Sequence, residues 1–147
     1  MVDQNMEQKS LIKEVYKTNL FLLKGSKENI EILFRKNCFS IKKQKKQNSI
    51  IQIVEGVRMI KPFYETKSMK TRSKVTQVPI EISRKRQQLL ATKFLLTAVS
   101  EKKSSFLHNK LTNELIGIIN LNANSLKIRE NFQKNVETNK IFIQYRF

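Results

Sequence analysis

Apolar residues along this chain of 147 residues recur mostly at helical intervals, with one extended segment between them. Leu11, Ile12, Val15, Leu20 and Leu23 predict a first helix that ends near Gly25. Ser26 suits the N-cap of a second, with Ile30, Leu33 and Phe34 on one face. A third starts near Asn48 and carries Ile50, Ile53, Val54 and Val57. It stops around Lys61, because a residue preceding a proline, here Pro62, is steered out of the helical region.

From position 63 to 82 the pattern becomes extended. Val78, Ile80 and Ile82 keep a period of two, and Val75 extends the run. Pro79 cannot donate a ladder hydrogen bond and so belongs on an edge strand, which a two-stranded hairpin always offers. A turn near Lys70 to Ser73 gives two arms of about seven residues, each roughly 23 Å long at about 3.3 Å per residue. Such an arm is unstable alone and needs a partner to lean on. Beyond it, Ser83 fits the N-cap of a fourth helix, in which Leu90, Phe94 and Ala98 form an i, i+4, i+8 stripe beside Leu95 and Val99. Leu107, Leu111, Leu115 and Ile118 predict a fifth that ends near "NLNANS", and a mostly polar sixth runs from about Leu126 to Phe142. The size is that of one domain, residues 1–147, large enough to bury a core without disulfides or metals.

Charge narrows the function. Lys and Arg number 29 against 12 Asp and Glu, a net charge of +17 that a small domain tolerates best with a polyanion as partner. Between Arg58 and Lys93 the cations are Arg58, Lys61, Lys67, Lys70, Arg72, Lys74, Arg84, Lys85, Arg86 and Lys93, opposed only by Glu65 and Glu81. Lys67, Lys70, Arg72 and Lys74 fall on the hairpin, where charge also serves to blunt edge strands. Arg86 and Lys93, seven apart, share the face of the fourth helix opposite its apolar stripe. Arg84, Lys85 and Arg86 sit in its first turn, where positive charge costs a few tenths to about 1 kcal/mol each. A phosphate at that helix end reverses the sign, since free N–H groups and cationic side chains both favour it. A second basic group, Lys127, Arg129, Lys140 and Arg146, lies near the C-terminus with Tyr145 and Phe147, whose rings can stack on bases or pack. The "KKQKKQNS" run from Lys42 reads equally as a solvated linker or helix end and as a phosphate contact.

Other chemistry finds no support. The single histidine, His108, has no second His or Cys at ligand spacing and reads as an exposed or capping residue, so no metal site is expected. Gly25, Gly56 and Gly117 are isolated and form neither a P-loop nor a dinucleotide fingerprint. No catalytic residue or cofactor is expected. Cys38, the only cysteine, excludes an internal disulfide and reads as a core or groove thiol. No apolar run reaches the roughly 18 to 20 residues of a membrane span. Asp3, Glu7 and Glu14 are unlike a secretory or transit leader, so the chain is expected to be made where it works. Abundant Lys, Asn, Ile and Phe with no Trp suit an AT-rich organellar gene.

The stretch from Lys61 to Leu95, "KIRE" at Lys127 to Glu130 and the ending "NKIFIQYRF" resemble the universal small-subunit ribosomal protein seven family. Its usual pattern is a Lys-Pro pair, a basic hairpin, "QVPVEV", "RRQALAIRWL", "KKRE" and "NKAFAHYRW". Here those read Lys61-Pro62, "QVPIEI" from Gln77, "RQQLLATKFL" from Arg86, Lys127 with Arg129 and Glu130, and Asn139, Lys140, Phe142, Tyr145 and Arg146. The hairpin's usual Gly-Gly is Arg72-Ser73, a usual arginine is Met69, and the final Trp is Phe147; such departures resemble mitochondrion-encoded members.

The resemblance implies a mainly α fold: a six-helix bundle with a two-stranded β-hairpin protruding between the third and fourth helices. It implies a structural constituent of the small subunit that binds and organises the head domain of small-subunit rRNA. Partners would be that rRNA, neighbouring small-subunit proteins and, transiently, exit-site tRNA and mRNA, with Lys70, Arg72 and Lys74 nearest the latter two. The expected location is the mitochondrial ribosome, or a plastid one. A free basic DNA-binding or nucleoid protein is the alternative reading of the same charge.

Overall fold

A computed structural model describes residues 27–45, 49–71, 74–103 and 106–146. The described residues form five α-helices and one hairpin: α1 (Lys27–Lys45), α2 (Ser49–Ile60), β1 (Tyr64–Thr71), β2 (Lys74–Glu81), α3 (Arg84–Glu101), α4 (Leu107–Ile119) and α5 (Asn124–Thr138), followed by a 3₁₀ segment, Lys140–Arg146. The helix expected over Leu11 to Leu23 and its successor's cap at Ser26 fall outside the described residues.

The core forms where the apolar stripes of the helices converge. Ile41 of α1, Ile53, Val54 and Ile60 of α2, Leu90, Phe94, Leu95 and Val99 of α3, and Leu111, Leu115 and Ile118 of α4 are all buried together. Phe132 of α5 closes one side, its ring tilted at 57° to Phe94 with centroids 5.3 Å apart, a favourable offset arrangement. Cys38 packs against this cluster, as expected of a core or groove thiol. Burial pushes its pKa up, and a hydrogen bond with Ser49 only partly opposes that.

α1 continues through Lys45, so the start of the "KKQKKQNS" run is a helix end, one of the readings its composition allowed, with fully buried Ile41 one turn before Lys45. One boundary differs from the sequence expectation: α5 ends at Thr138, before Phe142. The Thr138 hydroxyl and the Asn139 amide both donate to the Asn135 carbonyl, at 2.9 and 2.7 Å, and short polar side chains competing in this way draw the backbone out of its helical ladder.

The α4–α5 turn follows a Schellman pattern. The N–H of Asn122 donates to Gly117 O at 2.8 Å and that of Leu121 to Ile118 O at 3.0 Å. Leu121 holds the left-handed position, φ 59°, that glycine usually occupies. The start of α5 is capped from another helix. Ala123 at the N-cap has no capping side chain, but the Glu114 carboxylate accepts the Ser125 N–H at 2.8 Å. Glu114 is fully buried, and its other oxygen lies 2.6 Å from Lys102 Nζ at the end of α3. Burial raises its pKa, but Lys102 and the Ser125 N–H outweigh burial and hold the carboxyl below the usual range. One buried carboxylate thus ties α3, α4 and α5 together.

Candidate nucleic-acid interface

The hairpin pairs in one antiparallel register from Tyr64 with Glu81 to Thr71 with Lys74, so positions 72 and 73 connect the strands. Its base leans on the body of the protein. Val78 and Pro79 are buried, β2 packs on the 3₁₀ segment, and β1 packs on α5. Towards the far end the side chains are solvated, with Lys67, Ser68, Lys70, Lys74, Val75 and Gln77 exposed. The body of the protein is therefore the partner that an isolated hairpin lacks.

Ile82 returns the chain to the core, and α3 begins at Arg84. Ser83 adopts the extended N-cap conformation, ψ 151°, but its hydroxyl makes no capping bond and the first turn holds no acid. The expected cap is present in backbone only. What remains at this helix end is uncapped N–H groups beside exposed Arg84 and Lys85.

Arg86 is differently placed. Its guanidinium grips Glu65 of β1 in a two-pronged pair, Nη2 to Oε1 at 2.7 Å and Nε to Oε2 at 3.1 Å. The hydrogen bond to Arg86 is the main reason the Glu65 carboxyl sits below its usual range; slight burial opposes it, and the fields of Arg86 and Lys93 reinforce it. The sequence counted Glu65 only as a charge subtracted from a basic segment. Pairing across the junction of hairpin and helix gives it a mechanical role that no linear spacing reveals.

The other predicted residues are placed as follows. Lys93 is exposed on α3, at the margin of the side that buries Leu90 and Phe94 and on the same side as Arg86, seven residues earlier. Lys61 is half-buried just after α2, and Lys127 is exposed in the first turn of α5. Arg129, two residues further and so on another side of the helix, is partly buried: its Nη1 donates to the Met59 carbonyl near the end of α2, and its buried Nε has no partner. Cations at helix C-termini satisfy such carbonyls, so Arg129 clasps α5 to α2. Lys140 is exposed at the rim of a groove between the hairpin base and α5, beside Phe63, Tyr64, Pro79 and Ile143. Tyr145 and Arg146 belong to the 3₁₀ segment, and Arg72 lies outside the described residues.

The hairpin and the outer face of α3 therefore form one surface of exposed Lys and Arg, in which Glu65 is paired with Arg86 and exposed Glu81 is the acid that remains. It can bind successive phosphates. Among the described residues no cluster of His, Cys, Asp or Glu could hold a metal ion, and no helix is long and apolar enough to cross a membrane.

Comparison with known proteins places the same residues in context. Residues 3–140 match the family described as ribosomal protein S7p/S5e. The small ribosomal subunit protein uS7 of Syntrophus aciditrophicus (strain SB) is 31% identical over 127 residues, spanning 86% of this chain and 81% of the relative. That of Pelagibacter ubique (strain HTCC1062) is 30% identical over 129 residues, 88% and 83% of the two chains. The uS7c of Euglena gracilis is 28% identical over 129 residues, with the same two coverages.

Proposed function

This chain belongs to the ribosomal protein S7p/S5e family, and on that footing we propose that it is a structural constituent of the small ribosomal subunit that binds and organises the head domain of its rRNA. The observation that supports the reading is the set of exposed Lys and Arg from the hairpin to the uncapped start of α3. Lys67, Lys70, Lys74, Arg84, Lys85 and Lys93 contact phosphates, Lys127 and Lys140 extend the surface towards the C-terminus, and Lys61, Tyr145 and Arg146 complete it. Arg86 and Arg129 contribute while holding their own elements in place. Contacts of this kind read backbone and shape more than base identity, as structured RNA requires. The protein works without catalysis or cofactor.

The hairpin, with Lys70, Arg72 and Lys74 towards its tip, faces exit-site tRNA and mRNA. The remaining expected helix, from about Leu11 to Leu23, completes a six-helix bundle in one domain. The composition, rich in Lys, Asn, Ile and Phe and lacking Trp, favours a mitochondrial ribosome.

Sedimentation tests the reading directly. The native protein should travel with small ribosomal subunits from purified mitochondria, and the pure protein should prefer a head-domain rRNA fragment to random duplex DNA. Preference for the DNA, with no subunit association, would sink it in favour of a nucleoid protein.

A further inference from the structure

A second group of aromatic and basic side chains lies on other elements. On α1, Arg35, Lys36, Phe39 and Ser40 occupy one side of the helix and, with His108 of α4, line a shallow cleft. Phe39 is 73% exposed, and Phe106, just before α4, is 63% exposed, its ring 5.8 Å from that of His108. Exposed rings are costly in water, and two of them flank a cleft that no carboxylate lines. Lys42 and Lys43, also exposed, continue the charge along α1, and no acid occurs between Ile32 and Val54.

The inner side of the same helices is fixed. Asn37 is buried, and its Oδ1 lies 2.9 Å from the Thr112 hydroxyl of α4, which also reaches the His108 carbonyl at 2.8 Å. The two sides of the cleft therefore stand in a set relation. Charge complementarity separates the possible occupants: a hydrophobic protein segment has no need of the cations, whereas an unpaired nucleotide offers a base for the rings and a phosphate for the lysines.

We propose that Phe39, with Lys36 and His108 beside it, forms a stacking ledge for an unpaired base of bound RNA, separate from the hairpin surface. The ledge rests on the reading of the chain as an rRNA-binding protein and adds to it a single-stranded element. Phe39 stacks on the base, and Lys36 and Lys43 hold the flanking phosphates.

The chain contains no tryptophan, so F39W places a unique reporter on the ledge. A ten-nucleotide oligo(A) RNA should quench the F39W indole saturably, and F39L should weaken oligo(A) binding roughly five- to a hundredfold at unchanged charge, with F39Y restoring it. Lys36→Ala should lower the slope of log affinity against log salt by about one. Oligo(A) binding seen by anisotropy with no change in the F39W indole, or equal binding by F39L and wild type, would overturn the ledge. So would an F39L that binds RNA normally but no longer associates with a small-subunit protein. Head-domain rRNA binding is followed in parallel. Its failure with the F39W response intact defeats the ribosomal reading and leaves the ledge supported.

Discussion

Removing the Glu114 carboxylate should unlatch three helices at once. The group is fully buried, accepts the Ser125 N–H at 2.8 Å and lies 2.6 Å from Lys102 Nζ. Breaking a buried ion pair by deleting one partner costs about 3–5 kcal/mol. Lys102 retains 28% side-chain exposure and can turn to water, which favours the low end. The lost cap at α5 adds about 1 kcal/mol, so Glu114→Ala should cost about 4 kcal/mol in all. Glu114→Gln keeps an acceptor for Ser125 but breaks the same ion pair, so it should cost about 3 kcal/mol, less than the Ala variant by the cap. At about 3–4 °C per kcal/mol for a domain of this size, the Ala variant should melt about 10–15 °C lower. Urea unfolding followed by far-ultraviolet circular dichroism at fixed salt measures the difference. The sign with pH is also set. A carboxyl with a depressed folded pKa stabilises fully above its unfolded value, near 4.5, and that contribution fades as pH falls through the lower folded value. The gap between wild type and Glu114→Ala should therefore be widest near neutrality and close in acid. A loss below about 1 kcal/mol, or a gap that widens on acidification, would refute the triple-tie account.

Three further outcomes follow from other parts of the molecule. Leu121→Gly should raise stability by about 0.5–1 kcal/mol, because the left-handed φ of 59° penalises leucine by more than glycine's extra unfolded entropy, and thermal melts will show it. Lys85→Ala and Lys93→Ala should each reduce the salt slope of head-domain rRNA binding by about one while leaving the melting temperature within about 2 °C, since both are exposed; filter binding across a salt series decides. Cys38 should react with a disulfide reagent at neutral pH far more slowly in the native protein than in urea, because burial raises its pKa; equal rates would contradict its placement.

Much of this fold is legible in the pattern of apolar residues. Leu90, Phe94 and Ala98 fix the buried side of α3, and Pro62 fixes the end of α2, because each acts through local geometry alone. The hairpin follows from the period of two around Pro79. Relations between distant elements do not follow. Glu65 meets Arg86 across 21 residues, Arg129 meets Met59 across 70, and Asn37 meets Thr112 across 75, and these pairings depend on packing angles that no periodicity encodes. For the same reason nothing in the sequence marks Phe39 and Phe106 as neighbours of one cleft. A basic surface is visible in composition, but the division between cations that face solvent and cations that hold the protein together is not.

The pair at Glu65 and Arg86 is also a fulcrum. A strand of eight residues spans roughly 26 Å, so a tilt of only about 5° at its root displaces the far end by about 2 Å, most of the length of a hydrogen bond. Whatever that end touches, the aiming accuracy is decided at the root. The pair that helps decide it is exposed, with Arg86 at 52%, and surface ion pairs slacken as salt screens them. Ionic strength would then tune the pointing of the arm as well as its adhesion, and a labelled hairpin end should wander more widely in high salt, or in Glu65→Gln at any salt.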